Sequence, residues 1–169
     1  MEIYDAIITR RSIRKFSSIP IENNILEKLL KAAMYAPSAR NTRSWHFILC
    51  TERETLNKIP LAHPHAKMCL EAQAVIVVCG DLSIEPSVEY NAINCSAATQ
   101  NILLASHEMG IGSVWLGVFP RPERVEGVTN LFLLPSNIVP VSMIALGYPA
   151  EEKNIPERFE MDKIHYNKW

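Results

Sequence analysis

One long helix limits the possible folds of this chain more than any other segment. The pattern predicts it from about Pro86 to Met109, with Gly110 in the position of a left-handed C-cap. A surface helix of a globular protein buries one apolar stripe. The apolar set here is too wide for one stripe, so the helix needs cover on more than one side, from its own domain or from a second subunit. The set comprises Ala92, Ile93, Cys95, Ala97, Ala98, Ile102, Leu103, Leu104 and Ala105.

The rest of the pattern predicts further helices and strands of a single domain. Residues 2–9 and the segment from Glu22 to Met34 have helical apolar spacing, and the second helix ends before Pro37. Apolar runs predict strands at 46–51, 74–80, 113–118 and 139–147, with room for a short helix between the first two. Because the chain has 169 residues and neither a repeat nor a linker, we expect one domain spanning 1–169.

The composition favours a small partner for this chain. It has 17 Lys and Arg against 18 Asp and Glu, which gives no overall attraction to nucleic acid or to an anionic membrane. The most continuous apolar run, Ala74 to Cys79, is far shorter than the roughly 20 residues that cross a bilayer, and the start does not resemble a signal peptide. The four cysteines form no Cys-x-x-Cys pair, so we expect them to be reduced and buried in a cytoplasmic protein.

The C-terminal segment 150–169 is polar but contains large apolar residues at irregular spacing. It lacks the apolar density to form a core of its own. We expect it to lie along another surface, with a partner subunit as the nearest candidate. Its large apolar residues are Ile155, Phe159, Met161, Ile164, Tyr166 and Trp169.

A basic segment after the first helix is a candidate anion site. Arg10, Arg11, Ser12 and Arg14 supply guanidinium groups and a hydroxyl within five residues. Guanidinium groups bind a phosphate dianion through bidentate, charge-assisted hydrogen bonds. The alternative is a solvated basic turn at a helix C-terminus, where cations favour the helix dipole.

Other constellations in the sequence carry less information about function. His63-Pro64-His65 has no further ligand nearby, which predicts a solvated loop and no metal site. No Gly-x-Gly-x-x-Gly follows a strand, and no nucleophile elbow is present, which argues against a Rossmann domain and a hydrolase. Trp45 and Trp115 are interpreted as core or interface residues, with stacking on a ligand as the alternative.

Four ordered motifs carry a resemblance to a known family. They are 10–16 (RRSIRKF), 36–41 (APSARN) followed by Trp45-His46-Phe47, 110–117 (GIGSVWLG) and 145–149 (ALGYP). Together they resemble the nitroreductase family of FMN enzymes. The resemblance implies an α+β fold with a central, mainly antiparallel sheet flanked by helices. It also implies a homodimer with two FMN sites at the interface and a C-terminal extension, residues 150–169, that wraps the partner subunit.

The resemblance also implies which residues bind the cofactor. Arg10, Ser12 and Arg14, beside Arg11, match residues that hold the phosphate, ribityl chain and pyrimidine edge of FMN. Leu116 and Gly117 match the pair beside the flavin N5, where a backbone N–H bonds the ring. The other matches are a loop that reaches the flavin from the partner subunit, a C-terminal phosphate ligand and a lysine near the pyrimidine ring, namely Pro37, Ser38, Ala39 and Asn41, then Arg158, then Lys67.

The implied function is an oxidoreductase in which the flavin, and no side chain, carries the chemistry. NAD(P)H is the expected hydride donor, and an electron-poor small molecule such as a nitroaromatic or a quinone is the expected acceptor. The alternatives are a flavin-dependent dehydrogenase or dehalogenase on the same scaffold, and a flavin-binding sensor without activity. Leu116 stands where relatives active on nitro compounds often have Glu, and Arg43-Ser44 stands where many have Gln-Pro, so the acceptor range is not carried over.

Overall fold

The structure, a computed structural model, describes residues 1–169 as five helices around a four-stranded sheet. The helices are α1 (Ile3–Thr9), α2 (Asn23–Met34), α3 (Arg53–Ala62), α4 (Val88–Glu108) and α5 (Pro122–Phe132). The strands are β1 (Trp45–Cys50), β2 (Ala74–Asp81), β3 (Gly112–Gly117) and β4 (Ile138–Gly147). Short 3-10 turns occupy Ala39–Asn41, Lys67–Leu70 and Met161–Lys163.

The sheet has the order β1-β2-β4-β3, and every neighbouring pair is antiparallel. β2 and β4 are central, and every residue of β2 is buried. Helices α2 and α4 cover one face, where Leu29 and Ile102 belong to one apolar cluster. Helices α3 and α5 cover the other face, where Ile59 and Val128 belong to a second cluster. This arrangement confirms the predicted α+β class and leaves β1 and β3 as the two edge strands.

Helix α4 is covered by α2 on one side and by the sheet on another, as the breadth of its apolar set predicts. The Ser87 hydroxyl caps its start by accepting a hydrogen bond from the Tyr90 N–H at 3.1 Å. Gly110 follows its end with φ 74°, which confirms the predicted left-handed cap. Tyr90 and Ile93 nevertheless remain exposed, so one further face of α4 is uncovered by its own chain.

Helix α5 has no counterpart among the sequence-based predictions. Pro122 stands in its first turn, where proline is favoured, and Leu133 ends it in the left-handed conformation. Gly127 in the middle of the helix lowers its intrinsic helix propensity. The glycine is required by packing, because a Cβ there would lie 2.7 Å from the carbonyl oxygen of Ala62 in α3.

The basic segment that follows α1 runs beside the start of β3. The Ile13 N–H donates to the Ser113 carbonyl at 3.0 Å, and the Ser17 N–H donates to the Tyr148 carbonyl at 2.9 Å. Ile13 and Phe16 are buried in the core between these contacts. The residues on either side of Ile13, namely Ser12 and Arg14, are thereby held along the edge of the sheet.

The C-terminal segment begins on this same edge. The Ala150 N–H donates to the Lys15 carbonyl at 2.9 Å, and a Glu151 carboxylate oxygen accepts from the Arg14 N–H at 2.6 Å. Residues 155–159 then line a cavity beside α1. The large apolar side chains from Ile155 to Trp169 are all exposed in the single chain.

All four cysteines are free and buried, as the sequence predicts. Burial raises the pKa of the thiols of Cys69, Cys79 and Cys95 to about 12. It also raises the pKa of Cys50. The structure contains no helix with both the length and the apolar character needed to cross a membrane.

Candidate functional site

Arginines from two distant segments converge beside the start of β3. One cavity of about 420 Å³ is lined by Arg11, Ser12, Arg14, Lys153 and Arg158. An adjoining cavity of about 430 Å³ is lined by Arg10, Arg11, Arg158 and one carboxylate, Glu157, together with apolar residues of α1 and of the C-terminal segment. Burial and the positive charges of Arg11 and Arg158 lower the pKa of Arg10. The two cavities therefore form one cationic surface.

Three of these arginines have no partner within the chain. The side chains of Arg10, Arg14 and Arg158 form none of the ion pairs or hydrogen bonds in the structure. Lys153, in contrast, pairs with Glu151 at 2.7 Å. Like charges held close together repel one another unless an anion lies between them. The arrangement is therefore suited to a phosphate, which accepts several charge-assisted hydrogen bonds.

Arg11 has a different environment from its neighbours. Its Nε donates to the Asn154 carbonyl at 3.0 Å, and one Nη donates to the Ile8 carbonyl at 3.0 Å. Another Nη donates to the carbonyl of Arg10. The guanidinium thus satisfies carbonyls at the end of α1 and joins that helix to the C-terminal segment.

Gly117, at the opposite end of β3, faces open space. The chain has six glycines. At four of them an added Cβ would lie within 3.0 Å of another atom, and Gly110 has φ 74°. An added Cβ at Gly117 would meet no atom within 4 Å, and its φ lies outside the left-handed range. Neither packing nor backbone conformation in the chain requires glycine here, which points to close approach by a group from outside the chain.

The strand register directs the backbone of Gly117 toward this open edge. The carbonyl of Ser113 in the same strand points away from β4, since it accepts a hydrogen bond from Ile13. Backbone groups alternate sides along a strand with a period of two residues. The N–H and carbonyl of Gly117 therefore also point away from β4, whereas the side chain of Leu116 is buried in the core.

The carbonyl of Gly117 accepts two side-chain hydrogen bonds. His63 Nε2 lies 2.9 Å from this oxygen, and Arg124 Nη1 also donates to it at 2.9 Å. No sequence pattern indicates either contact, and the predicted solvated loop is wrong at His63, because the exposed fraction of this residue is 2%. The loop folds inward because the imidazole satisfies a carbonyl that β4 does not reach.

The hydrogen bonds of His63 fix its tautomer. Nε2 faces a carbonyl and must carry the proton, while Nδ1 accepts from the His65 N–H at 3.2 Å. Burial lowers the pKa of His63, and the positive charge of Arg124 lowers it further. The imidazole is therefore held in the neutral form with the proton on Nε2.

We expect this histidine to make stability depend on pH. In the unfolded chain His63 takes up a proton as the pH falls through its ordinary pKa of 6.5, whereas folded His63 resists protonation. The free energy of unfolding should therefore fall with decreasing pH from this value downward through the lowered folded pKa. Urea unfolding between about pH 7.5 and pH 5 should show a weaker slope for His63→Gln than for the wild type. Equal slopes in the two proteins would contradict the expectation. A slope that remains in the variant is expected from His107, because burial also lowers the pKa of that residue.

The loop 37–43 has an unusual backbone and is fixed by α4. Arg40, Asn41 and Arg43 have φ of 53°, 54° and 49°, a region that side chains rarely occupy. The Ala39 N–H donates to Asn94 Oδ1 at 2.9 Å, and Arg40 forms an ion pair with buried Glu85. Such strained conformations persist where surrounding contacts hold them, and they cluster at functional sites.

The structure brings together only part of the predicted site. Arg10, Arg11, Ser12, Arg14 and Arg158 meet at the start of β3, and Leu116 and Gly117 lie at its end. The loop with Pro37, Ser38, Ala39 and Asn41 precedes β1, which is the edge strand opposite β3, and it lines neither cationic cavity. Lys67 is exposed in a 3-10 turn and lines neither cationic cavity.

The fold and this site define an α+β protein with a cationic surface beside an edge strand. Comparison with known proteins makes the assignment more specific. The model of the nitroreductase family matches residues 7–74 and 61–148. A protein of Methanothermobacter thermautotrophicus, named after NADH dehydrogenase and NAD(P)H nitroreductase activities, is 46% identical over 100% of this chain and 88% of its own length. The chain therefore belongs to the nitroreductase family.

Solved structures agree with this assignment. A Parabacteroides distasonis protein named after the same two activities has a TM-score of 0.94 and 38% identity, covering 99% of this chain and 98% of its own. An FMN-dependent nitroreductase of Clostridium difficile has a TM-score of 0.92 and 28% identity, covering 98% and 99%. The predicted family and fold class are confirmed, and these names agree with the predicted class of NAD(P)H-dependent oxidoreductases.

Proposed function

We propose that this protein is an FMN-dependent oxidoreductase that uses NAD(P)H to reduce electron-poor small molecules. The observation that carries the proposal is the convergence of Arg10, Arg14 and Arg158, without an anionic partner, on the edge strand that ends at open Gly117. These residues fit the two ends of FMN, because one end is a phosphate and the other is a flat ring. The name of the Clostridium difficile relative, which is FMN-dependent, supports the same cofactor.

The chain's own residues would hold and orient the cofactor. Arg10 and Arg158 would supply guanidinium groups for the phosphate, and Ser12 would supply a hydroxyl for the ribityl chain. Arg14 also brings a positive charge toward the pyrimidine edge, where it stabilises negative charge. The outward N–H of Gly117 is available as a donor to the ring, and the missing side chain lets the ring approach the backbone.

When held by these residues, FMN would supply the redox chemistry that carries electrons from NAD(P)H to an acceptor such as a nitroaromatic or a quinone. The protein then needs neither a nucleophile nor a dedicated general base. Its residues act by positioning and by electrostatic stabilisation.

We further infer that the functional unit is a homodimer with two sites at the subunit interface. The loop with Pro37, Ser38, Ala39 and Asn41 precedes the opposite edge strand and does not line the arginine cavities of its own chain, so it would complete the site of a partner. Exposed apolar residues on α1, α2, α4 and the C-terminal segment supply a surface that a second copy would bury. They include Ile3, Tyr4, Ile7, Met34, Tyr35, Tyr90, Ile93, Phe159 and Tyr166.

Deletion of residues 160–169 is expected to weaken the dimer at least tenfold. It removes exposed Met161, Ile164, Tyr166 and Trp169, and each apolar side chain buried on a partner contributes about 1.5–3 kcal/mol. The deletion keeps Arg158 and the contacts of Arg11 and Glu151. Sedimentation at several protein concentrations measures the effect. The control is Leu133→Ser, which alters an exposed apolar residue at the end of α5 and should leave the dimer intact. An unchanged dimer after the deletion would contradict a tail that wraps the partner.

The absorption spectrum of the freshly purified protein tests the proposed function. We expect bound FMN, bleaching by NADH or NADPH without oxygen, and recovery of colour after addition of a nitroaromatic or a quinone. A colourless protein that does not bind added FMN and sediments as one chain would refute the proposal. Bound FMN that neither nicotinamide cofactor reduces would favour a flavin-binding sensor instead.

A further inference from the structure

We propose that His63 and Arg124 are positioning residues that hold the carbonyl of Gly117 and so restrain the orientation of the N–H of the same residue toward the bound ring. The inference rests on the proposed function. The two side chains come from separate segments, since His63 follows α3 and Arg124 lies in the first turn of α5. They meet on a single carbonyl oxygen at equal distances of 2.9 Å.

The contacts at this oxygen are among the few restraints on Gly117. Glycine has more backbone freedom than any other residue, and no atom lies within 4 Å of the Cβ position of Gly117. It is also the last residue of an edge strand, so no further strand holds its outward groups. An N–H that must point at one ring atom therefore needs a restraint elsewhere on the same residue, and its carbonyl is the remaining group.

The restraint continues along the chain after Gly117. The N–H groups of Val118 and Phe119 both donate to the Val141 carbonyl at 3.1 Å. The carbonyl of Gly117 and the next two amides are therefore fixed, whereas the Cβ position of Gly117 borders open space.

The side chains of the pair are held in an unfavourable environment. Arg124 Nε is buried without a hydrogen-bond partner, the one such side-chain atom in the structure. A buried donor without a partner costs free energy, and so does a cation beside a buried imidazole. One donor alone would satisfy the Gly117 carbonyl, so that oxygen does not by itself require the pair. The two donors are nevertheless oriented toward the one carbonyl that borders the open glycine.

The test measures the mobility of the Gly117 amide and the rate of flavin reduction in matched variants. His63→Leu and Arg124→Met remove one donor each. Exposed His65→Leu and Arg121→Met are the controls on the same segments, and neither side chain contacts Gly117. NMR relaxation of the protein without FMN should give an order parameter near 0.85 for Gly117 in the wild type and controls, and below about 0.6 in the donor variants.

In the FMN-loaded protein, the rate constant of flavin reduction by NADH or NADPH should fall about tenfold or more in the donor variants. The dissociation constant of FMN should change less than about threefold, because the phosphate contacts are untouched. This division separates positioning from a general loss of structure, which would weaken FMN binding to the same degree. Folded donor variants with wild-type amide mobility and wild-type reduction rates would overturn the proposal.

A second pair of variants decides the question if His63→Leu does not fold. The amide group of His63→Gln can reach the Gly117 oxygen as Nε2 does, whereas that of His63→Asn is one methylene too short. The glutamine variant should keep the wild-type order parameter and the asparagine variant should lose it; equal values would overturn the proposal. If the wild type binds no FMN, the proposed function fails, and the amide measurement still judges the contact between His63, Arg124 and Gly117.

Discussion

Gly117→Ala is expected to weaken FMN binding about 10- to 100-fold while leaving the fold intact. The methyl group would enter the space in which the ring lies against the backbone, and such steric overlap costs about 1–3 kcal/mol. The ligand-free protein should be no less stable and should gain up to about 1 kcal/mol, because alanine has less backbone freedom than glycine when unfolded. Fluorescence titration with FMN and urea unfolding measure the two effects.

Gly112→Ala is the matched control, since Gly112 lies at the other end of the same strand. A Cβ there would lie 2.9 Å from Ile13 Cγ2 and 3.2 Å from the Gly147 carbonyl oxygen. We expect this variant to lose about 1–3 kcal/mol of stability through overpacking. The two substitutions thus have opposite consequences for folding. Full FMN affinity in Gly117→Ala would show that no ligand approaches this residue.

Combined substitution of Arg10 and Arg158 by alanine should weaken FMN binding about 100-fold or more. Each substitution removes a hydrogen bond to a charged group, which contributes about 1.5–3 kcal/mol. The ligand-free protein should keep or slightly gain stability, because these two arginines have no partner in the chain and repel one another. Titration with FMN and with riboflavin measures the effect, since only FMN carries the phosphate.

The preference for FMN over riboflavin separates a phosphate site from a general cationic surface. The wild type should prefer FMN, and the double variant should bind the two compounds nearly alike. Arg121→Ala is the control, because Arg121 is exposed at the start of α5, away from the cationic cavities. An unchanged preference in the double variant would place the phosphate elsewhere.

Much of the fold is predictable because its elements have strong local patterns. Helix α2 has a clear apolar face, and the breadth of the apolar set in α4 indicates that more than one side is covered. Helix α5 was missed although Pro122 and the spacing of Val125, Val128 and Phe132 are typical of a helix. Its central glycine and its charged residues obscured that pattern, and the reason for the glycine is a contact with α3 that no local pattern contains.

The candidate site, like the fold, has one part that local sequence patterns predict and another part that they do not. The arginines near the start form a contiguous motif, and the C-terminal arginine was inferred from the family resemblance. The contact of His63 with Gly117 joins residues 54 positions apart. A histidine between the end of a helix and a proline gives no local indication of burial, since its environment depends on how α3 packs against the sheet. The unusual backbone of the loop at Arg40 is likewise held by tertiary contacts, one of which is the ion pair with Glu85.

Because every cysteine is buried, its thiol is shielded from electrophiles. Quinones and alkylating reagents attack the thiolate form, and thiols with a pKa of about 12 are almost entirely protonated at neutral pH. The folded chain would thus be protected from arylation by the kind of compound it is proposed to reduce. Iodoacetamide should then label these thiols only when the molecule opens, so that the labelling rate under native conditions reports how often the core becomes accessible.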